Sequence, residues 1–508
     1  MVFPSRGCLT CKSRRIKCDS VHPVCGRCQK SNRDCTWDQN EEAGLLFKSE
    51  NAFAQGKPRR PWKSKEQRER EEADPDMPPL TPILSTTEDE AFHFWVDNFL
   101  FRDDEIPEFA WEYNQYLLTY RNKARPDSSL HLAISAFSHA VFGRAMQVDK
   151  AIEDAERLFT QSIAQSEIHE PSEKNIDELL VTTMLLAFYE NIMYVDQRHH
   201  GQEQETSSHL DVVGSRFWEH VSHHEGAAGL LKLRQQCGWT PNRPLDRAAR
   251  RQLMRTCILR GIPAAPWLLD AAEFGEEGPV LGLDSIIVRV ASLRARSLCL
   301  FLPKSARFSD QLHPDVVVVE ARELDATLES WSRDIPEEWN FSGTQPDPNP
   351  GFAFDGLVHV YPTHGHAAIW NRYRAIHIIV NSIRRRALSI MAQCSSQSIS
   401  VVEEQEICRD KIASLATELC RGIPSFFSLP AQDNAPKTIK IGDNVIQTNY
   451  EILPKLATLL AWPLTLAVST EDVPEPQKQW LQCKLKSIAT SLGDAALATV
   501  ADQGEFKF

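Results

Sequence analysis

The sequence predicts a small metal-stabilised N-terminal cluster followed by a large all-α domain, with a seam between two helical lobes expected near residues 336–350. Three observations carry this. Six cysteines crowd into residues 8–35. Proline and charged residues fill the stretch that follows, which blocks regular structure. From about residue 88 onward apolar residues recur at helical steps. The predicted organisation is a cluster at 1–38, a linker at 39–87 that is first basic and then acidic, and a helical domain at 88–508.

The cluster comes first. Cys8, Cys11, Cys18, Cys25, Cys28 and Cys35 are spaced C-x2-C-x6-C-x6-C-x2-C-x6-C, two copies of a short pair followed by a third cysteine. A C-x2-C pair sets two thiolates on one side of a metal, at roughly 2.3 Å for zinc–sulfur bonds. Six sulfurs complete two tetrahedra only if two are shared, which joins the metals in one cluster. Between Cys8 and Cys35 the clear hydrophobes are Leu9, Ile16, Val21 and Val24, too few for a core. Modules under about 40 residues generally need disulfides, metals or a partner. Structural zinc contributes about 10–16 kcal/mol of apparent binding free energy, which replaces the missing core. A disulfide-stapled secreted module is the competing reading. It is disfavoured because no apolar signal stretch precedes the cysteines. The seven later cysteines also stand singly, as in a reduced compartment.

The insert between Cys11 and Cys18 is Lys12-Ser13-Arg14-Arg15-Ile16-Lys17. Residues 1–38 carry eight Lys/Arg against three acids, a balance of +5. Six thiolates on two divalent ions change this by about −2, leaving a basic surface. A short helix starting near Cys11 would project Arg14, Arg15 and Lys17, cations suited to guanine edges and phosphate. A solvated basic face that only balances the thiolates is the bland alternative.

The stretch from Gly7 to Asp19, with Pro23 two residues before Cys25, resembles the fungal binuclear zinc cluster family of transcription factors. The resemblance covers residues 7–37. It implies two zinc ions, with Cys8 and Cys25 bridging them. Cys11 and Cys18 would complete one site, and Cys28 and Cys35 the other. It also implies that Arg14 and Arg15 read bases in double-stranded DNA while Lys12 and Lys17 grip phosphate. One departure stands out: residues 36–87 hold no sustained heptad, so dimerisation beside the cluster is not supported. Either the head binds as a monomer or the C-terminal region does the pairing.

Charge distribution agrees with a nucleic-acid arm. Net charge is −13, but residues 1–70 balance to +8 and residues 71–508 to −21. Lys57-Pro58-Arg59-Arg60-Pro61-Trp62-Lys63-Ser64-Lys65 fits a nuclear import signal. Residues 39–87 could reach at most about 160 Å if extended. No run of 18 or more apolar residues occurs, so a membrane-spanning chain is not expected.

In the helical region Leu130, Ile134, Phe137, Val141, Ala145 and Val148 form one face of an amphipathic helix. Leu179–Met193 reads as a buried helix. Further helices are expected near 209–234, 244–260, 284–302, 314–334, 449–468 and 475–500, with a loop over 422–447. Ile369, Tyr373, Ile376, Val380, Ile383, Ala387 and Ile390 mark the most regular helix, read as core rather than coiled coil. This body is similar in texture to the regulatory domain behind many fungal zinc clusters, which implies effector signals and contact with transcription machinery or co-regulators. The histidines at 199, 200, 209, 220, 223 and 224 lack the H-E-x-x-H order, and no phosphate loop, dinucleotide glycine run or G-x-S-x-G elbow is present. The expectation is a nuclear DNA-binding transcription regulator of the RNA polymerase II type, not an enzyme. A zinc-anchored structural subunit of a chromatin-remodelling complex is the alternative.

Overall fold

The structure, a computed structural model, describes residues 8–37 apart from 9, 12–13, 15, 20 and 22. It also describes residues 87–504 apart from 102–104, 106, 111–116, 167–169, 194–208, 302–312, 346–351, 395–398, 428–436, 442–443 and 449–451. The chain divides into two units, Met1–Pro82 and Ile83–Phe508. The expected linker and its basic import sequence lie almost wholly outside the described residues.

In the first unit, helix α1 (Gly26–Lys30) follows Cys25, whose sulfur caps it by accepting the Cys28 N–H. Ile16, Val21 and Val24 are exposed. The interior consists of Cys8, Cys11, Cys25 and Cys28, with Cys18, Cys35 and Trp37 packed around them. This is the sulfur-centred interior expected of a module without a hydrophobic core.

The second unit opens with α2 (Thr87–Phe99), whose Glu88, Asp89 and Glu90 sit in the first turn where the helix dipole favours negative charge. Phe94 and Trp95 on this helix are fully buried. After α3 (Leu117–Lys123) comes α4 (Ser129–Met146), capped by Ser128 and buried nearly all round from Ser129 to Gly143. It packs on α5 (Asp149–Ser166) and α6 (Ile176–Ile192). Helices α7 (His209–Cys237), α8 (Arg243–Arg260), α9 (Gly278–Phe301) and α10 (Pro314–Asp334) follow. Pro314 opens α10 at a position where proline's missing N–H is harmless. The Val316–Val319 run turns Val317 and Val318 inward and leaves Val316 and Val319 exposed.

Helix α11 (His364–Cys394) is the axis of the unit and packs against α9, α10 and α12 (Ile399–Gly422) as well as α13 (Pro454–Val468). Ile369, Tyr373, Ile376, Val380, Ile383 and Ala387 are buried, and so are Ala368, Ile378, Ile379 and Leu388 on its other sides. Asn371, Arg374, His377 and Asn381 are buried as well, so the helix is enclosed on every side and the core reading holds. His366 and Thr363 cap its start, with the His366 N–H donating to Thr363 Oγ1 (3.3 Å).

Three expectations change. The seam near 336–350 does not divide the body: one hydrophobic core runs from Ala91 to Ala501. Trp339 stacks on Phe109 at 4.4 Å and its carbonyl accepts the Trp370 N–H (2.9 Å), while strands β1 (Ser342–Thr344) and β2 (Val358–Val360) pair antiparallel. These contacts tie the segment to both sides of the supposed boundary. The loop over 422–447 contains a hairpin, β3 (Lys437–Ile441) paired with β4 (Asn444–Thr448). Its alternating β-branched residues flank Gly442-Asp443, a tight-turn dipeptide. The helix expected over 475–500 is two, α14 (Glu475–Leu492) and α15 (Ala495–Gln503). Gly493 adopts φ 65°, and Asp494 caps α15 through the Leu497 N–H (2.9 Å).

Ion pairs tie helices of the body together. Arg251 forks onto Glu276 (2.5 and 2.7 Å). Asp325 accepts from Asn381 (2.8 Å) and Lys411 (2.7 Å) and bonds His377 Nε2 (2.6 Å), binding α10, α11 and α12 together. Among the described residues no helix is long and apolar enough to cross a membrane.

Candidate metal centre and nucleic-acid interface

The two halves of the head fold alike. After Cys8 the chain enters a helical turn in which the Arg14 N–H donates to the Thr10 carbonyl (3.4 Å) and the Ile16 N–H to that of Cys11 (3.1 Å). After Cys25 it enters α1, where the Gln29 N–H donates to the Cys25 carbonyl (3.0 Å). In each half the first sulfur accepts a backbone donor: Cys11 N–H to Cys8 Sγ and Cys28 N–H to Cys25 Sγ, both 3.3 Å. The C-x2-C spacing thus places both sulfurs of a pair on one side of a tight turn.

Side chains join the halves. Thr10 Oγ1 donates to the Asp34 carbonyl (2.7 Å), and Trp37 Nε1 to the Pro23 carbonyl (2.9 Å). The Gly26 N–H reaches both Asp19 carboxylate oxygens (3.1 and 3.0 Å). A Cβ at residue 26 would stand 2.6 Å from Asp19 Oδ2 and displace that carboxylate. Asn32 at φ 44° turns the chain back toward Cys35.

The sulfurs converge in two groups of four, each with its atoms within 4.8 Å of one another: Cys8, Cys11, Cys18 and Cys25, and Cys8, Cys25, Cys28 and Cys35. Cys8 and Cys25 belong to both. A ZnS4 tetrahedron with bonds near 2.3 Å has edges of about 3.8 Å. The Cys8–Cys25 and Cys8–Cys28 separations are 3.7 Å and Cys11–Cys25 is 3.6 Å. None of the six cysteines is joined in a disulfide, and these separations far exceed the roughly 2 Å of a disulfide bond. The donor set therefore fits two zinc ions sharing two thiolates, and the disulfide reading has no geometric support.

Burial raises the Cys8 thiol, but the Cys11 N–H and neighbouring thiols outweigh it, and the result lies below the ordinary thiol value. Cys25 behaves alike through the Cys28 N–H. Burial, then the surrounding thiols, push Cys11 well up and Cys28 up to about 12. The Cys25 N–H lowers Cys35, yet burial and the Cys8 and Cys25 thiols leave it raised. Metal uptake must displace protons from these sulfurs, so it strengthens as pH rises.

Of the four basic residues singled out in the insert, Arg14 and Lys17 are exposed, and Arg14 Nη1 donates to Ser31 Oγ (3.3 Å). Lys12 and Arg15 lie outside the described residues. The second half contributes cations that the insert-centred reading did not assign: Arg27 and Lys30 on α1 and Arg33 beyond it are all exposed. The near-repeat of the cysteine pattern was the signal for them, since α1 is the counterpart of the turn after Cys8. Among the described residues no histidine joins a metal-holding group. His223 instead pairs with Glu190 (3.1 Å). His199 and His200 lie outside the described residues.

Comparison with known proteins isolates this head. Residues 6–43 match the family model of the fungal Zn(2)-Cys(6) binuclear cluster domain. An uncharacterised transcriptional regulatory protein of Schizosaccharomyces pombe is 61% identical over 33 residues, 6% of this chain and 6% of the relative. The transcriptional regulatory protein moc3 of the same yeast is 54% identical over 39 residues, 8% of each chain. The transcription activator AMTR1 of Alternaria alternata is 41% identical over 51 residues, 10% of this chain and 6% of the relative. The chain thus spans under a tenth of the length of these curated relatives. No solved structure matches it. Sulfur geometry and family match coincide on one segment: residues 6–43 are a fungal Zn(2)-Cys(6) binuclear cluster domain, which binds two zinc ions.

Proposed function

We propose that the chain is a nuclear, sequence-specific DNA-binding transcription regulator and not an enzyme. In this reading Cys8, Cys11, Cys18 and Cys25 hold one zinc, and Cys8, Cys25, Cys28 and Cys35 the other. When bound, the two ions supply structure: they fix the turn after Cys8 and helix α1 relative to each other. Arg14 and Arg15 then donate to base edges of a short GC-containing half-site, and Lys12 and Lys17 to phosphates on double-stranded DNA. Arg27, Lys30 and Arg33 add phosphate contacts from the second half. The observation that carries the reading is the pair of four-sulfur groups sharing Cys8 and Cys25 within the segment that matches the family.

The helical body at 88–508 is assigned the regulation of activity through transcription machinery or co-regulators, and residues 39–87 the tether. The missing heptad after the cluster supports a head that reads one half-site as a monomer. No observation favours the remodelling-subunit alternative. Selection of bound sequences from a random duplex pool with the zinc-loaded full chain tests the proposal. Enrichment of a GC-containing triplet is expected, single for a monomer. A zinc-loaded chain that enriches no sequence above the starting pool contradicts base reading.

A further inference from the structure

Between α7 and α8 the chain makes a short exposed connection. Gly238 at φ 65° ends α7, and the Trp239 N–H donates back to the Arg234 carbonyl (3.1 Å). Thr240, Pro241 and Arg243 are exposed, and Asn242 is half-buried. Asn242 is the anchor: its Nδ2 donates to Tyr120 Oη (2.7 Å) and to Asp177 Oδ2 (2.7 Å). Thr240 and Pro241 therefore stand clear of the core on a fixed base.

Proline follows a serine or threonine at two places in the chain, Thr81-Pro82 and Thr240-Pro241. Only at the second does a cation stand two residues beyond the proline, Arg243 where the first has Leu84. Each of these residues has a physical use to a protein kinase. Proline keeps the residue before it extended, the form in which a hydroxyl enters a cleft, and brings no N–H that needs a partner there. The cation pairs with an acidic rim, and kinases sort substrates by such charge patterns.

Thr240 also makes a contact that a phosphoryl group would undo. Its N–H (3.1 Å) and its Oγ1 (2.8 Å) both donate to Glu173 Oε1, in the turn before α6. These two donors, the N–H first, hold the Glu173 carboxyl below its ordinary value. A phosphate carries about −1.5 to −2 charge at pH 7 and presents acceptor oxygens. On Oγ1 it replaces a donor to Glu173 with an anion facing an anion.

We propose that Thr240 is the acceptor of a proline-directed protein kinase, and that its phosphorylation releases the α7–α8 connection from Glu173. In the transfer Thr240 Oγ1 attacks the γ-phosphorus of ATP and the bond from that phosphorus to the β–γ bridging oxygen breaks. ADP leaves, and the hydroxyl proton passes to the catalytic carboxylate of the kinase. The site is independent of DNA reading by the head, so its failure leaves the proposed function standing.

The test incubates the full chain with ATP, Mg²⁺ and a proline-directed kinase that selects a cation two residues beyond the proline, and maps phosphate by peptide mass spectrometry. One phosphoryl group at Thr240 is expected, and Thr240→Val should lose it. Arg243→Ala should slow transfer about tenfold, the value of one hydrogen bond to a charged group. Hydrogen exchange then reads the release: amides over 172–176 and 238–242 should exchange faster once Thr240 is phosphorylated. Glu173→Gln keeps an acceptor and removes the charge, so phosphorylation of that variant should speed exchange much less. No phosphate at Thr240 of the unmodified chain, whether or not a peptide of residues 235–248 accepts it, would overturn the inference. So would transfer indifferent to Arg243→Ala, exchange unchanged by phosphorylation, or equal acceleration in a folded Glu173→Gln chain.

Discussion

Replacing Cys8 with alanine removes a sulfur that belongs to both four-sulfur groups, whereas replacing Cys35 removes one that belongs to a single group. The two substitutions are alike in chemistry and differ in position, which makes them a sharp pair. Native domains hold roughly 0.05–0.15 kcal/mol per residue, so residues 8–37 could retain only about 2–5 kcal/mol. One structural zinc contributes about 10–16 kcal/mol, several times that margin. Ile16, Val21 and Val24 are exposed and offer no substitute core. Cys8→Ala should therefore lose both zincs and the fold of the head. Cys35→Ala should keep the four sulfurs Cys8, Cys11, Cys18 and Cys25 and retain about one zinc per chain. Elemental analysis of the dialysed full chain, beside thermal unfolding of the body, reads both outcomes. Equal zinc loss in the two variants, or two zincs retained by Cys8→Ala, would refute the shared-sulfur reasoning.

Arg14→Ala should cost about 1–3 kcal/mol of base discrimination, and Lys17→Ala should weaken all duplexes alike while reducing the salt slope by about 1, both read by anisotropy titration. In the body, burial raises the Asp325 carboxyl, but His377, Lys411 and Asn381 together hold it far below the usual range. Its stabilisation is present above the unfolded value of about 3.9 and is lost as pH falls below it. Asp325→Asn should cost about 3–5 kcal/mol at pH 7 and remove that part of the acid limb in denaturant titrations. Burial, then Arg374 and Arg421, lower the His359 pKa to about 3. Because the unfolded chain binds that proton from about pH 6.5 downward, stability should fall with pH between there and about 3, and His359→Phe should flatten that slope.

Sequence periodicity is local, and the features it revealed are local. The cysteine spacing announced a cluster because six thiols in so short a stretch have few other uses. Helix α10 was legible at both ends because Pro314 opens it and Pro336 follows its close. The long α11 was legible as core from the steps between Ile369 and Ile390. The single core was not, since the pairing of Phe109 with Trp339 spans residues that no periodicity connects. The Asp325–His377–Lys411 network is hidden for the same reason: its members lie on α10, α11 and α12 and meet only after folding. The β3–β4 hairpin is a different case. Its turn dipeptide was present, but its short strands resembled the loop around them.

Zinc-edge X-ray absorption on the full chain tests the central claim most directly. Two metals sharing the Cys8 and Cys25 sulfurs predict a first shell of sulfur alone, four per zinc at about 2.3 Å, and a second zinc as near neighbour. Nitrogen or oxygen in that shell, or zinc ions with no metal neighbour, would contradict it.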